Sequence, residues 1–136
     1  MKNISTFLLA FIFLAQVAYA DEVKEGLKAL NRGDYKAAFE IWKPLAEKGN
    51  NTAQFNLGLM YDKGDGVRQN FPKAVRWYRL AAKQGNVSAQ FNLGLMYYKG
   101  EGVARDYERA VKWYLYAARQ GNIGAQFNLG WIFDKG

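Results

Sequence analysis

The hydrophobic residues after position 50 recur with the period of an α-helix. Ala53, Leu57 and Met60 fall within about a quarter of a helical circle, which predicts one buried stripe. Phe55 and Leu59 fall on the opposite side, so the same helix is apolar on two faces. We therefore expect both faces to be covered, or one face to be covered and the other offered to a ligand.

A second helix is predicted after a glycine-rich turn. Gly64 is placed to end the first helix, and Asn70 is a good N-cap for the next, with Pro72 tolerated in its first turn. Small and aromatic residues then share one side of the second helix: Ala74, Val75, Trp77, Tyr78, Ala81 and Ala82. Basic residues share the other side: Arg76, Arg79 and Lys83.

These two helices form a unit that repeats every 36 residues. The hexapeptide from Ala53 to Gly58 recurs without change at 89–94 and at 125–130, and 22 of the 34 positions in 53–86 are identical in 89–122. Such self-similarity is typical of a solenoid. A mid-helix glycine costs about 1 kcal/mol relative to alanine. The recurrence of Gly58 at Gly94 and Gly130 therefore predicts a neighbouring helix too close for a Cβ atom.

The first twenty residues have the pattern of a secretory signal peptide. One lysine precedes the apolar run from Phe7 to Ala15, and Ala18, Tyr19 and Ala20 form a small-x-small cleavage site before Asp21. The run is shorter than the ~20 residues of a spanning helix. We expect an exported protein, periplasmic or secreted, cleaved after Ala20 and without a transmembrane segment in the mature chain. An uncleaved anchor is the alternative.

Composition limits the chemistry that this chain can perform. It has 136 residues, no cysteine and no histidine, which excludes disulfides, zinc sites built on those residues and imidazole catalysis. No catalytic residue, metal site or cofactor is predicted. The formal net charge is +7, or +6 without Lys2 of the leader, and favours anionic partners without naming one.

The combined pattern resembles the SEL1-like repeat, a relative of the tetratricopeptide repeat, in an exported bacterial form. The resemblance rests on A-Q-F-N-L-G-L-M-Y, K-G-D/E-G-V, an Asn or Asp cap, A-V-x-W-Y and A-A-x-Q-G-N. It implies an all-α, right-handed α/α solenoid. The expected parts are a signal peptide at 1–20, a capping hairpin at 21–51, repeats at 52–87 and 88–123, and a partial repeat at 124–136. Pro44 departs from the repeat, and we expect a kink there.

The resemblance also implies that first helices line a concave groove and that second helices form the convex back. Aromatic, aliphatic, amide and lysine side chains of the first helices are then candidates for binding an extended peptide: Phe55, Asn56, Leu59, Lys63, Phe91, Asn92, Leu95, Tyr98, Lys99, Phe127, Asn128 and Trp131. The recurring phenylalanines are better explained as core between repeats, because every stacked unit must bury a face. The asparagines are equally explained as partners of the preceding repeat's backbone.

Three functions are compatible with this pattern. The first is a non-catalytic module of the cell envelope or secreted space that binds a protein or peptide in the groove. The second is polyanion or glycan binding through the basic convex face, with nucleic acid not expected because the chain is exported. The third is β-lactam binding or hydrolysis, as assigned to Cys-rich family members, but Ser88 stands without a lysine three residues on.

The last helix predicted from the sequence is a poor solenoid cap. Solenoid ends normally carry a polar face, whereas Phe127, Trp131, Ile132 and Phe133 are apolar. The helix is then an imperfect cap, a face covered by another chain, or the end of a shortened relative of a longer protein. On the second of these explanations we expect self-association through residues 124–134.

Overall fold

The computed structural model describes residues 3–135, with side chains from residue 5 onward. Within that range the fold is all-α, as predicted, and consists of seven helices. They are α1 (Asn3–Asn31), α2 (Tyr35–Glu47), α3 (Asn51–Lys63), α4 (Phe71–Lys83), α5 (Val87–Lys99), α6 (Tyr107–Arg119) and α7 (Ile123–Lys135).

Each helix packs mainly against the helices that precede and follow it in the sequence. The buried residues of α1 to α3 form one cluster around Trp42, Leu45 and Leu57. Those of α4 to α7 form a second cluster around Tyr78, Leu93 and Tyr114. A core assembled from sequential neighbours is the signature of a solenoid, so the predicted architecture is confirmed.

The helix ends are set by the residues that the sequence indicates. Asn70 and Asp106 accept a hydrogen bond from the backbone N–H three residues on, at 2.9 and 3.0 Å. Gly64 ends α3 with a φ of 76°, in the left-handed region that favours glycine. Pro72 lies in the first turn of α4. These local signals fix where each helix of a repeat begins and ends.

Helix α1 continues through the predicted cleavage site without a break. Phe7, Leu8 and Phe11 are exposed in its first half, and the span Ser5–Asn31 is long and apolar enough to cross a membrane by length and composition. An N-terminal signal sequence satisfies the same criterion, so this apolar helix is compatible with a signal peptide. The helix ends at a short turn, where Gly33 has a φ of 77°, and α2 then folds back on it.

Pro44 lies inside α2, which continues to Glu47. A proline in this position removes a backbone hydrogen bond. Leu45 and Ala46 follow it and are both buried, so packing against the first cluster holds the last turn of the helix in place.

Within each repeat the two helices meet where a tyrosine ring lies on a glycine. A Cβ atom at Gly58 would come within 2.5 Å of the Tyr78 ring, and one at Gly94 within 2.6 Å of the Tyr114 ring. The predicted close approach is confirmed at these two positions. It is wrong at Gly130, which has nothing within 4 Å because no helix of the described chain covers that face of α7.

Glutamine side chains link successive repeats through buried amides. Gln54 and Gln90 donate to the carbonyl oxygens of Ala46 and Ala82, at 3.1 and 3.2 Å. The same two glutamines accept hydrogen bonds from Gln84 and Gln120, at 2.8 and 2.7 Å. Each first helix is therefore tied both to the end of the preceding repeat and to the end of its own second helix.

The glycine contacts generate a matched stability test. We expect Gly94→Ala to lower the free energy of unfolding by about 1 to 3 kcal/mol, because the new Cβ displaces the buried Tyr114 ring. Gly130→Ala is the control and should raise it by up to about 1 kcal/mol, the helical preference for alanine over glycine. Urea unfolding followed by circular dichroism measures both. Equal effects of the two substitutions would contradict the packing role of Gly94.

Candidate functional site

The candidate site is the surface of α3, α5 and α7 that carries the twelve predicted groove residues, called here the groove ladder. The structure places them at different depths. Asn56 is buried, and Lys63, Lys99, Phe127 and Trp131 are exposed. The other members of the groove ladder are half-buried: Phe55, Leu59, Phe91, Asn92, Leu95, Tyr98 and Asn128.

The phenylalanines of the groove ladder contribute to packing as well as to surface. The rings of Phe55 and Phe91 lie 6.0 and 5.9 Å from those of Tyr78 and Tyr114, centroid to centroid. Phe91 also reaches the next repeat, where a Cβ atom at Gly124 would lie 3.0 Å from its ring. Phe127 has no such cover and remains 72% exposed. The last repeat thus presents the aromatic surface that its predecessor partly buries.

The asparagines are directed at tyrosine hydroxyls of the preceding repeat. The side chains of Asn92 and Asn128 lie near the hydroxyls of Tyr78 and Tyr114 and act to lower their pKa values. The Asn128 amide nevertheless does not complete a hydrogen bond to the Tyr114 hydroxyl. Asn56 is the exception, because Trp42 holds the place 36 residues before Tyr78 and has no hydroxyl. The side-chain nitrogen of Asn56 is accordingly buried without a hydrogen-bond partner.

The Tyr78 hydroxyl is fully satisfied. It donates to a carboxylate oxygen of Asp62 at 2.9 Å. Burial raises the pKa of Tyr78, the negative charge of Asp62 raises it further, and the Asn92 amide opposes part of the rise. The phenol therefore stays protonated and acts as a permanent donor that links α4 to α3.

Tyr114 occupies the equivalent place in the next repeat and lacks that acceptor. Tyr98 stands 36 residues after Asp62, so no carboxylate faces the phenol. Tyr114 is 1% exposed, and its hydroxyl oxygen is buried without a hydrogen-bond partner. Burial raises the pKa of Tyr114 to about 12, with the Asn128 amide opposing the rise and the Tyr98 phenol adding to it.

A cavity of about 340 Å³ opens at this point between α5 and α7. The Tyr98 ring borders it and lies edge-on to Trp131, with the centroids 6.3 Å apart. The charged group at the cavity is Lys99, whose ammonium nitrogen lies 3.8 Å from Glu101 in an exposed pair. The lining residues are Leu95, Tyr98, Lys99, Tyr114, Phe127, Asn128, Trp131 and Ile132.

Six of the twelve predicted residues line this cavity together, and the rest of the groove ladder does not. Sequence reasoning missed Tyr114 and Ile132, which both line it. The signal that could have found Tyr114 is the exchange of Asp62 for Tyr98 between otherwise similar repeats. Among the residues that the structure describes, no group of three or more acidic side chains is arranged to hold a metal ion.

The chain matches the model of the Sel1 repeat family over residues 14–50, 51–86, 87–122 and 123–136. Among solved structures it is similar to c5321, a protective antigen of uropathogenic Escherichia coli with an SLR fold, at 39% identity and a TM-score of 0.83 over 89% of this chain. It is also similar to a Sel1 repeat protein of Oxalobacter formigenes, at 38% identity and a TM-score of 0.77 over 82% of this chain.

A curated relative from Rattus norvegicus, DAP3-binding cell death enhancer 1, is 38% identical over 50 residues, or 37% of this chain. The chain spans 10% of that relative's length. It spans 27% of the Escherichia coli structure and 45% of the Oxalobacter formigenes structure.

The two tyrosines allow a paired test of the hydroxyl contacts. We expect Tyr78→Phe to lower the free energy of unfolding by about 1.5 kcal/mol, because a hydrogen bond to a charged group is lost. Tyr114→Phe should leave stability unchanged or raise it, because its buried hydroxyl has no partner to lose. Thermal and urea unfolding of both variants decide the matter. A larger loss at Tyr114 would show that its hydroxyl is satisfied in solution.

Proposed function

Because this chain belongs to the Sel1 repeat family, we propose that it is a non-catalytic module that binds a peptide or protein in the groove of its first helices. The observation that carries the proposal is the cavity between α5 and α7, where six predicted groove residues converge. Its walls are mainly aromatic and aliphatic, with a few polar groups, a composition typical of binding pockets.

The proposed contact surface is concentrated at the last two first helices. Phe127 and Trp131 are exposed by 72% and 48%, and large exposed aromatic side chains are the usual anchors of protein interfaces. Phe55 and Phe91 lie deeper in the groove than Phe127, because their rings also pack against Tyr78 and Tyr114. A partner would therefore bury Phe127 and Trp131 first and extend along α5 and α3.

Self-association through residues 124–134 is a special case of the same proposal, in which the partner is a second copy. Ile123, Phe127 and Phe133 are all more than 60% exposed on α7. Several large apolar side chains exposed on one helix favour an interaction surface.

The basic second helices support polyanion binding less well. Arg79 donates to the Tyr97 hydroxyl at 3.1 Å, and Arg109 lies against the same ring and beside Asp106. Burial raises the pKa of Tyr97, but the hydrogen bonds and charges of the two arginines outweigh it and lower that pKa. Two of the basic groups are thus engaged within the protein. Steep weakening of partner binding with salt would favour the polyanion alternative.

We place the protein outside the cytoplasm, with residues 1–20 as a leader, 21–51 as a capping hairpin and the repeats at 52–87, 88–123 and 124–136. Residues 5–14 are all exposed in the structure. Val23 is buried, and its carbonyl oxygen accepts a hydrogen bond from the Trp42 indole at 3.2 Å. Cleavage after Ala20 would therefore keep every buried residue of the first cluster and remove the half-buried Tyr19 that packs against it.

Mass spectrometry of the exported chain tests the leader. The full gene product, expressed in a bacterium with an outer membrane, should be recovered from the periplasm or medium with Asp21 as its first residue. Ala20→Asp should block processing, because the cleavage site requires a small residue there. Recovery of the uncleaved chain in the membrane fraction would instead identify α1 as an anchor.

A pull-down from envelope extract tests the groove. Trp131→Ala should reduce capture of a partner at least tenfold, the effect of about 1.4 kcal/mol expected on losing an aromatic anchor. Tyr116→Ala is the matched control, because Tyr116 is 41% exposed on the second helix α6, outside the groove ladder. A partner that is lost equally with both variants would contradict groove binding.

Sedimentation of the same two variants identifies a second copy as the partner. If α7 mediates self-association, the unmodified chain and Tyr116→Ala form dimers or larger species at micromolar concentration, whereas Trp131→Ala is monomeric.

A further inference from the structure

The groove contains two neighbouring sites built to the same plan and separated by 36 residues. In the first, α3 carries Leu59, Asp62 and Lys63, and Asp62 contacts Tyr78. In the second, α5 carries Leu95, Tyr98 and Lys99, which line a cavity together with Tyr114. The principal difference is the exchange of Asp62 for Tyr98. In the first site the carboxylate of Asp62 accepts a hydrogen bond from the Tyr78 hydroxyl at 2.9 Å. In the second no carboxylate is present, and a cavity of about 340 Å³ lies there.

The second site therefore lacks an acceptor. A buried hydroxyl without a hydrogen-bond partner costs about 1 to 3 kcal/mol, and the Tyr114 hydroxyl is such a group. Tyr114 lines the cavity, although only 1% of its surface is exposed to solvent. A ligand that brings an acceptor to this hydroxyl would recover that cost on binding.

The charge at the cavity favours an anionic acceptor. Lys99 lines it and is paired with Glu101 only at 3.8 Å, both side chains being substantially exposed. Exposed pairs of this kind contribute little, so the ammonium group can turn to a second carboxylate. Glu101 opposes an anion at the rim, but it lies outside the residues that line the cavity.

The remaining walls select an apolar group on the same ligand. Phe127 and Trp131 are exposed aromatic rings, and Leu95 and Ile132 complete the lining. The volume of the cavity is at the lower end of the range for small-ligand pockets. One large side chain and one carboxylate of a ligand would fill it. The C-terminal residue of a peptide carries both groups on one Cα atom.

We propose that the cavity between α5 and α7 binds the C-terminal residue of an extended peptide, with its side chain apolar or aromatic and its α-carboxylate against Tyr114 and Lys99. This inference rests on the proposed function, since it specifies which part of a peptide enters the groove. In this site the ligand's carboxylate supplies the acceptor that Asp62 supplies to Tyr78 in the first site.

The test uses the full chain as the cell processes it, and a fluorescently labelled peptide that ends in phenylalanine. Fluorescence anisotropy compares the free acid, the C-terminal amide and a peptide with an internal aspartate. The free acid should bind at least about tenfold more tightly than the other two, because a charge-assisted hydrogen bond is worth about 1.5 kcal/mol or more.

Three variants locate the carboxylate. Tyr98→Asp restores the acceptor found in the first site and should weaken binding of the free-acid peptide at least about tenfold. Tyr114→Phe and Lys99→Gln should weaken binding of the free-acid peptide and leave binding of the amide peptide unchanged. Lys112→Gln, an exposed substitution on the second helix α6 and outside the groove ladder, is the control and should change neither. Circular dichroism confirms that each variant is folded, and Lys99→Gln, an exposed substitution, keeps the test valid if another variant unfolds.

The outcomes separate this inference from the proposed function. Equal binding of acid and amide, still sensitive to Trp131→Ala, overturns the carboxylate site and leaves the peptide groove standing. Preference for the internal aspartate overturns the choice of a chain end. No binding of any of these peptides, with Trp131-dependent capture of a protein partner, also overturns the inference but not the module. Acid-selective binding unaffected by Tyr98→Asp and Lys99→Gln overturns the location.

Discussion

The contact between a tyrosine ring and a helical glycine is the constraint on which each repeat depends. Tyr78 can lie flush on α3 only because Gly58 has no side chain, and Tyr114 uses Gly94 in the same way. Burying an aromatic ring contributes most of what a small helix pair can gain from packing. The ring also delivers its hydroxyl to the groove side of the first helix, so the contact that joins the two helices also places a polar group beneath the groove ladder.

Much of the fold could be predicted from the sequence because its signals are local or repeated. Helical periodicity, Asn and Asp caps and left-handed glycines each act within a few residues, and three copies of one hexapeptide fix the register. The depth of the groove ladder could not be predicted in the same way. Identical phenylalanines differ in exposure, Phe91 being half-buried and Phe127 72% exposed, because burial depends on what the next repeat places above them. The contact at Gly26, where the Trp42 ring leaves no room for a Cβ, was missed because Gly26 does not lie 36 residues before Gly58, although Trp42 lies 36 residues before Tyr78.

The chemical individuality of the chain lies in the few places where its repeats differ. Trp42 in the position of Tyr78 leaves the Asn56 amide without its partner, and Tyr98 in the position of Asp62 leaves the Tyr114 hydroxyl without an acceptor. Both exchanges preserve helix packing while removing one member of a hydrogen-bonded set. A repeat can therefore gain a binding site by losing an internal contact, because the scaffold is stabilised by its remaining neighbours.

The mainly sequential packing of the helices determines how the molecule would respond to mechanical load. The main contacts join sequential helices. Tension applied between the ends of the molecule would therefore act on the helix interfaces one after another. Extension would then proceed by stepwise release of single helices.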